Sequence, residues 1–424
     1  MPRLIAVVLT LFALCGAFSQ SHVPRAAAEE PSDEAKAFNE RYDPEFRKRV
    51  ADAIDRGVAW LRKTQRADGS WASPSNKKYP MGPTALGVLT LLKGGVSPSD
   101  PAVKKAFAYL RKKPMAKTYS VGVLLMALDA RNAPARDPFV VEKVDKYGKS
   151  TRKDPCLSNI SKEDAAWMKE GVTFLLENRT AEGVWRYPSK EQFDLSCTQY
   201  ALLGLKAATR CGLGVPAKVW LDALRFLLAF QDKDGKAVRL QANEVRGEYR
   251  IAWTEQAKAR GFSYSKRIHA ATGSMTTAGL AGLIICQSEL WQSRKFKGDL
   301  RQGTRVAIRD AMAWMQLWYT PRVNPIVGPD GKPRHAGPPA VGGPNHFYYL
   351  YGLERFGILG RVRFIGEHDW YEEGAEIIMR DQLDDGSWPN GPKLVDTCFA
   401  VLFLKRATSR MRVPVITKTA EDGD

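Results

Sequence analysis

The residues best suited to chemistry cluster in two short phrases. The first is GGPNHFYYLYGLERFG, Gly342–Gly357, where His346 stands beside Phe347, Tyr348, Tyr349 and Tyr351. Consecutive tyrosines on a helix point in different directions, so some face neighbouring helices and some face inward. An inward aromatic lining would stabilise a carbocation through its π faces or stack on sugar rings. The second is KLVDTC, Lys393–Cys398, with Asp396 and Cys398 two residues apart. Asp194, with Cys197 after it, opens another apolar segment in a similar way, and His269 precedes AATGSMTTAGL. The structural alternatives are plain: Asp396 as a helix N-cap, Cys398 as a small core residue, His269 as a surface or capping residue. Glu354 and Arg355 read as solvated or helix-pairing charges. Neither a Ser-His-Asp order, a phosphate-cradling glycine loop nor an H-E-x-x-H phrase is present.

What must position these residues is a repeat. QRADGSW (Gln65–Trp71) returns as QLDDGSW (Gln382–Trp388), with degenerate copies NRTAEGVW (Asn178–Trp185) and QDKDGKA (Gln231–Ala237) between. Amphipathic segments precede them: AIDRGVAWL, MKEGVTFLL, WLDALRFLL and EEGAEIIM. AVKKAFAYL and AIRDAMAWM repeat the pattern without the phrase, which makes six. Each is followed by a segment apolar nearly all round, such as TALGVLTLL (Thr84–Leu92) or DTCFAVLFLKRA (Asp396–Ala407). A half-apolar helix lies against a core and a wholly apolar one lies inside it. Six such pairs predict an all-α toroid of two concentric layers, amphipathic helices outside and apolar ones inside. The Asp-Gly step supplies a turn tolerant of positive φ, the Gln and Asp side chains serve open helix ends, and the Trp packs on a neighbouring repeat.

The 424-residue chain opens with Met-Pro-Arg, an apolar run Leu4–Phe18 and a small-residue stretch Ala26–Ala28. This describes a secretory signal peptide over residues 1–28, too short in its apolar run for a membrane span. The expectation is a secreted or periplasmic protein, not transmembrane after cleavage, with one toroid domain over residues 45–412 and a disordered tail at 413–424. Losing Arg3 and Arg25 lowers the formal charge from +18 to about +16. A surface that basic suits an anionic surface or polymer. No basic run interleaved with aromatics and no finger or helix-turn-helix spacing supports nucleic-acid binding. Five cysteines survive cleavage, an odd number, so at least one is unpaired. Ala130–Ser161, Lys236–Thr272 and Pro321–Pro344 read as long loops.

The Q-x-x-D-G-x-W phrases and the order of helix, motif, loop and helix resemble the prenyltransferase and squalene-cyclase repeat families over nearly the whole mature chain. The resemblance implies an α/α toroid of terpenoid-cyclase and protein-prenyltransferase type. It also implies an axial cavity, near the N-terminal ends of the inner helices, for an isoprenoid or similar apolar ligand. Polyene-protonating cyclases carry D-x-D-D-T-A before an inner helix. Here Asp396 and Thr397 match its last Asp and Thr, while Val395 stands at the proton donor and Lys393 at the first Asp. On this resemblance Asp396 and His346 are the catalytic candidates, and Asp194, Tyr348, Tyr349 and His269 the ligand-binding ones. No cofactor is expected; the alternative is zinc on Asp396, Cys398 and His346, residue types that suit it. Two other readings stand beside the isoprenoid one: a non-catalytic toroidal binding or scaffold protein, and a polysaccharide-active toroid using carboxylates such as Asp194 and Asp396.

Overall fold

A computed structural model describes residues 42–74, 77–133, 160–187, 193–246, 249–334, 342–388 and 391–408. The expected signal peptide, the tail at 413–424 and most of the loop after Ala130 lie outside these residues. Among the described residues, twelve helices alternate between two layers. The outer layer is α1 (Pro44–Thr64), α3 (Pro101–Arg111), α5 (Lys162–Glu177), α7 (Ala217–Phe230), α9 (Gly298–Leu317) and α11 (Trp370–Arg380). The inner layer is α2 (Gly82–Lys93), α4 (Thr118–Asn132), α6 (Leu195–Arg210), α8 (Gly273–Leu290), α10 (His346–Leu359) and α12 (Lys393–Leu404). Each inner helix packs on the next, and α12 packs back on α2, so the ring closes. The α/α toroid read from the sequence is the fold.

Local chemistry sets the ends of the outer helices. Asp43 caps α1 by accepting from Phe46 N–H, and Asp100 caps α3 by accepting from Ala102 N–H, each with Pro at the next position. Helix α1 then buries Phe46, Val50, Ala53, Ile54, Gly57 and Leu61, one stripe at spacings of three and four. Inner helices have no solvent face. Every residue of α2 except Lys93 is buried, and every residue of α6 except Thr209.

The repeated phrase ties neighbouring hairpins together. Gln65 Nε2, at the end of α1, donates to Ala102 O of α3 at 2.9 Å. Gln231, at the end of α7, donates to Ala307 O of α9 at 2.9 Å, and Gln382, after α11, to Ala53 O of α1 at 2.9 Å. The last of these bonds spans the ring closure. In the copy with Arg for Gln, Arg179 instead pairs with Asp222 of α7 at 3.4 Å. Gly69 has φ 89° and lies so close to the Lys105 carbonyl that a Cβ would sit 2.3 Å from it, so only glycine fits. Each motif Trp donates its indole N–H to the carbonyl ten residues earlier: Trp71 to Leu61, Trp185 to Leu175, Trp388 to Ile378. These tryptophans are core residues, as the packing argument requires.

The segment read as a loop after Lys236 is instead strand. β1 (Lys236–Arg246) and β2 (Tyr249–Ala259) form a long antiparallel hairpin, followed by β3 (Ser263–Ser265) and β4 (Ile268–Thr272). With β5 (Ile326–Val327), β6 (Val362–Ile365) and β7 (His368–Asp369) they make two small sheets, ordered β2-β1-β6-β7 and β3-β4-β5. The hairpin is inserted into the third motif copy, in the fourth helical pair. Beyond it Phe262 takes the position of the missing Trp: its N–H donates to Thr276 Oγ1, as Trp185 N–H does to Thr198 and Trp388 N–H to Thr397. Its ring lies on Gly279 as Trp71 lies on Gly87.

Replacing Trp388 by Ala is expected to lower stability by about 3–5 kcal/mol in urea unfolding, with Trp388→Phe intermediate. Gln382→Ala is expected to cost about 1–3 kcal/mol, because the Ala53 carbonyl loses its partner at the closure. Wild-type midpoints for both Ala variants would contradict the closing role.

Candidate functional site

The N-terminal ends of the inner helices bring side chains from α4, α6, α10 and α12 to the axis. Helix α4 contributes Tyr119, and α6 contributes Ser196, Gln199 and Tyr200. Helix α10 contributes Tyr348, Tyr351 and Arg355, and α12 contributes Phe399. Tyr348 Oη donates to Ser196 Oγ at 3.0 Å and Gln199 Oε1 at 3.1 Å. The rings of Tyr119 and Tyr200 have centroids 4.0 Å apart, and Tyr200 stacks on Tyr348 at 6.4 Å. Phe399 lies 5.8 Å from Tyr348 and 5.3 Å from Tyr351.

Arg355 closes the axis below these rings. Its guanidinium lies 4.2 Å from the Tyr351 ring centre, 5.1 Å from Tyr200 and 5.9 Å from Tyr348. The side chain is buried and none of its nitrogens makes a well-aligned hydrogen bond. Electron-rich ring faces take the place of a carboxylate. Glu354 is turned elsewhere: Thr408 N–H and Oγ1–H donate to it at 2.9 and 2.6 Å, and burial pushes its carboxyl up to about 7. Both charges are therefore buried, which corrects their reading as solvated. Beneath Tyr351, near Lys206 and Thr408, the remaining cavity is only about 30 Å³, room for about one water.

Above Arg355 the rings are not fully covered. Tyr119 and Tyr348 keep part of their surface accessible, yet burial is the main cause raising both phenols above their ordinary range. Accessible surface deep inside a molecule marks a concavity. Tyr264 on β3 belongs to the same rim: a hydrogen bond to Asp194 contributes to raising its phenol, after burial.

The sequence candidates separate in space. Asp396 stands in the first turn of α12, three residues before Phe399 and on the same helix face. It is not the N-cap, which is Pro392. Its Oδ2 is buried without a hydrogen-bond partner in that helix, and burial pushes the carboxyl up to about 7. Asp194 is the N-cap of α6, accepting from Cys197 N–H at 2.9 Å. Tyr348 lines the recess. Tyr349 does not: it is buried against Gly273 at the start of α8. His346 is buried with Nε2 2.8 Å from the Pro321 carbonyl, and burial pushes its imidazole down. Cys398 is a buried free thiol, pushed up to about 12 by burial. No group of three or more His, Cys, Asp or Glu able to hold a metal is found among the described residues, so Asp396, Cys398 and His346 do not form one. His269 lies exposed on β4, at a separate cleft. Tyr119, Gln199, Tyr200 and Arg355 were not singled out by sequence. Tyr119 and Tyr200 sit in otherwise aliphatic inner helices, and that interruption was the available signal.

No protein-family model matches the chain, and no curated protein matches it. A solved structure does match in fold: an inactive variant of the alpha-1,6-mannanase GH76A of Salegentibacter sp. HEL1_6, in complex with alpha-1,6-mannotriose. The TM-score is 0.50 at 7% identity, over 84% of this chain and 98% of that one. This corrects the assignment to the squalene-cyclase and prenyltransferase repeat families: the toroid that matches is a glycoside hydrolase's. The physical reason is above. Gln, Asp-Gly and Trp hold hairpins together, so they mark the architecture and carry no chemistry.

A carboxyl held at about 7 binds its proton in the native state while an unfolded aspartate, near 3.8, has lost it. Asp396 therefore makes stability fall as pH rises from about 4 to about 7. Thermal melts of Asp396→Asn are expected to show a flatter fall over that window than wild type. Parallel curves would refute the raised carboxyl.

Proposed function

We propose that this toroid receives a carbohydrate chain in its axial recess. The observation that carries the reading is the recess itself: phenol rings partly accessible at depth, edged by polar groups. Ring faces stack on the C–H faces of sugars, while hydroxyls and amides bond to theirs. Gln199 shares its Oε1 with Tyr348, and its Nε2 is buried with no partner inside the protein. An isoprenoid offers no hydrogen bond to the polar edge formed by Tyr348, Ser196 and Gln199. The apolar-ligand reading is set aside on that ground. The matching mannanase supports a sugar by analogy of fold alone.

Asp396 is the group we assign to proton donation, should the bound chain be cleaved. A general acid must hold its proton near the working pH, and burial gives this carboxyl that property. Asp194 is the other carboxylate at this end, fixed as a helix cap. No metal is needed by this reading. We also assign the protein to an exported compartment. The N-terminal signal-like segment supports that, and so does Cys211, which is disulfide-bonded.

Isothermal titration with α-1,6-mannotriose and with β-1,4-linked cellotriose tests the reading. Binding of one is expected, with Tyr348→Ala weakening it about tenfold, the effect of one lost stacking and hydrogen-bonding ring. Binding unaffected by both Tyr348→Ala and Tyr119→Ala would remove the recess from the interaction.

A further inference from the structure

A second concavity lies beside the first. It is an open cleft of about 1050 Å³ between the β3–β4 hairpin and the C-terminal ends of α7 and α9. The hairpin is the wall shared by both. Side chains alternate along β3, so Tyr264 reaches Asp194 at the axial rim while Ser263 and Ser265 line the cleft.

We propose that this cleft is a second carbohydrate site, which takes an uncharged polyhydroxylated chain of the kind assigned above to the axial recess. The inference rests on that reading for its ligand class. Its geometry is independent. Phe226 and Phe230 stack at 5.7 Å and 23°, and both remain half-exposed on the cleft wall, as does Trp318. They offer flat apolar faces next to polar groups, the pairing that sugar rings require.

Most of the acids in the lining are cancelled by a paired cation. Of the acids in the lining, Asp234 is paired with Lys258 at 2.8 Å, Asp330 with Arg334 at 3.1 Å, and Glu182 with Lys266. Lys266, the cation beside Phe226, is thereby neutralised from within. What remains is Asp232, Gln231 and two exposed lysines, Lys233 and Lys236. Gln231 is 3% exposed; its Nε2 donates to Arg260 O and Ala307 O, but its Oε1 has no hydrogen-bond partner. Its counterpart Gln382 spends the same atom on the Arg56 guanidinium. An orphan acceptor in the cleft lining is satisfied by a hydroxyl of a ligand and repelled by a carboxylate. Asp232 accepts from Gly261 N–H at 3.2 Å, and burial raises its carboxyl to about 6, so at neutral pH and below a fraction of it also donates. His269 stands exposed at the rim. The cleft exists because the third motif copy carries the inserted hairpin and the turn after it.

Affinity gel electrophoresis of the full chain in α-1,6-mannan, hydroxyethylcellulose and polygalacturonate tests this. Four proteins are compared: wild type, Phe226→Ala, Trp318→Ala and Tyr348→Ala, each with a thermal melt to confirm folding. The expected result is retardation of wild type by one of the two neutral polymers. Each cleft variant should weaken it about five- to tenfold, with residual binding in Tyr348→Ala. If Tyr348→Ala alone weakens retention, the second site is overturned and the axial reading stands. If only the cleft variants weaken it, the cleft stands and the axial reading falls. Retention by polygalacturonate alone overturns the neutral chain assigned to the cleft. No retention by any polymer overturns both.

Discussion

The toroid depends on one interaction repeated around its rim: an amide at the end of one outer helix donating to a main-chain carbonyl of the next. Inner helices attract one another by burial, which is non-directional and sets no count. The amide bridge fixes the angular step between hairpins, because its donor and acceptor sit at defined places on rigid helices. Gln65, Gln231 and Gln382 make it with the same atoms, and the third joins residues 329 apart in the chain. Where Arg179 replaces Gln, an ion pair with Asp222 spans the same gap. The step is thus conserved in geometry while its chemistry varies. Four of the six steps carry this bridge; the other two follow outer helices that lack the phrase.

Closure of the ring leaves an axis to fill. Six helices around a centre leave a channel too wide for aliphatic side chains from one layer to meet. Tyrosines reach further, and Arg355 beneath them reaches furthest. A buried guanidinium without a carboxylate is costly unless something offsets it. Three ring faces do so here at 4.2 to 5.9 Å, and they are held in turn by their own contacts, Tyr348 by Ser196 and Gln199. The plug is therefore cooperative. It also separates the small pocket near Lys206 and Thr408 from the partly exposed rings of Tyr119 and Tyr348.

Much of this architecture was legible in the sequence because it is written locally. Alternation of half-apolar and wholly apolar segments gives the layers, and the Gln-Asp-Gly-Trp phrase gives the hairpin ends. The strands were not legible, since the hairpin interrupts a motif whose Trp had become Phe262, distant in sequence from the Gln and Gly it serves. The site was legible only in part. Tyr348 stood out among consecutive aromatics, and Asp396 by its place opening an inner helix. Tyr119, Tyr200 and Arg355 come from three helices, and their meeting is a property of the closed ring that no local pattern encodes. Arg355 was misread because a Glu-Arg pair on a helix ordinarily faces water. Here each charge found a different partner, rings for one and Thr408 for the other.

The width of the recess follows from two glycines rather than from any residue that lines it. Gly122 of α4 lies under the Tyr200 carbonyl, where a Cβ would fall 2.3 Å from oxygen, and a Cβ on Gly204 of α6 would fall 2.7 Å from the Gly122 Cα. With no side chain between them, α4 and α6 approach backbone to backbone. That approach is what sets the rings of Tyr119 and Tyr200 at 4.0 Å. A methyl at either glycine would force the helices apart and open the aromatic wall on that side, with Arg355 losing one of its three faces. The dimensions of the binding surface are thus fixed from behind, by inner-helix packing. Such an arrangement lets the lining residues change chemistry while the frame keeps its shape.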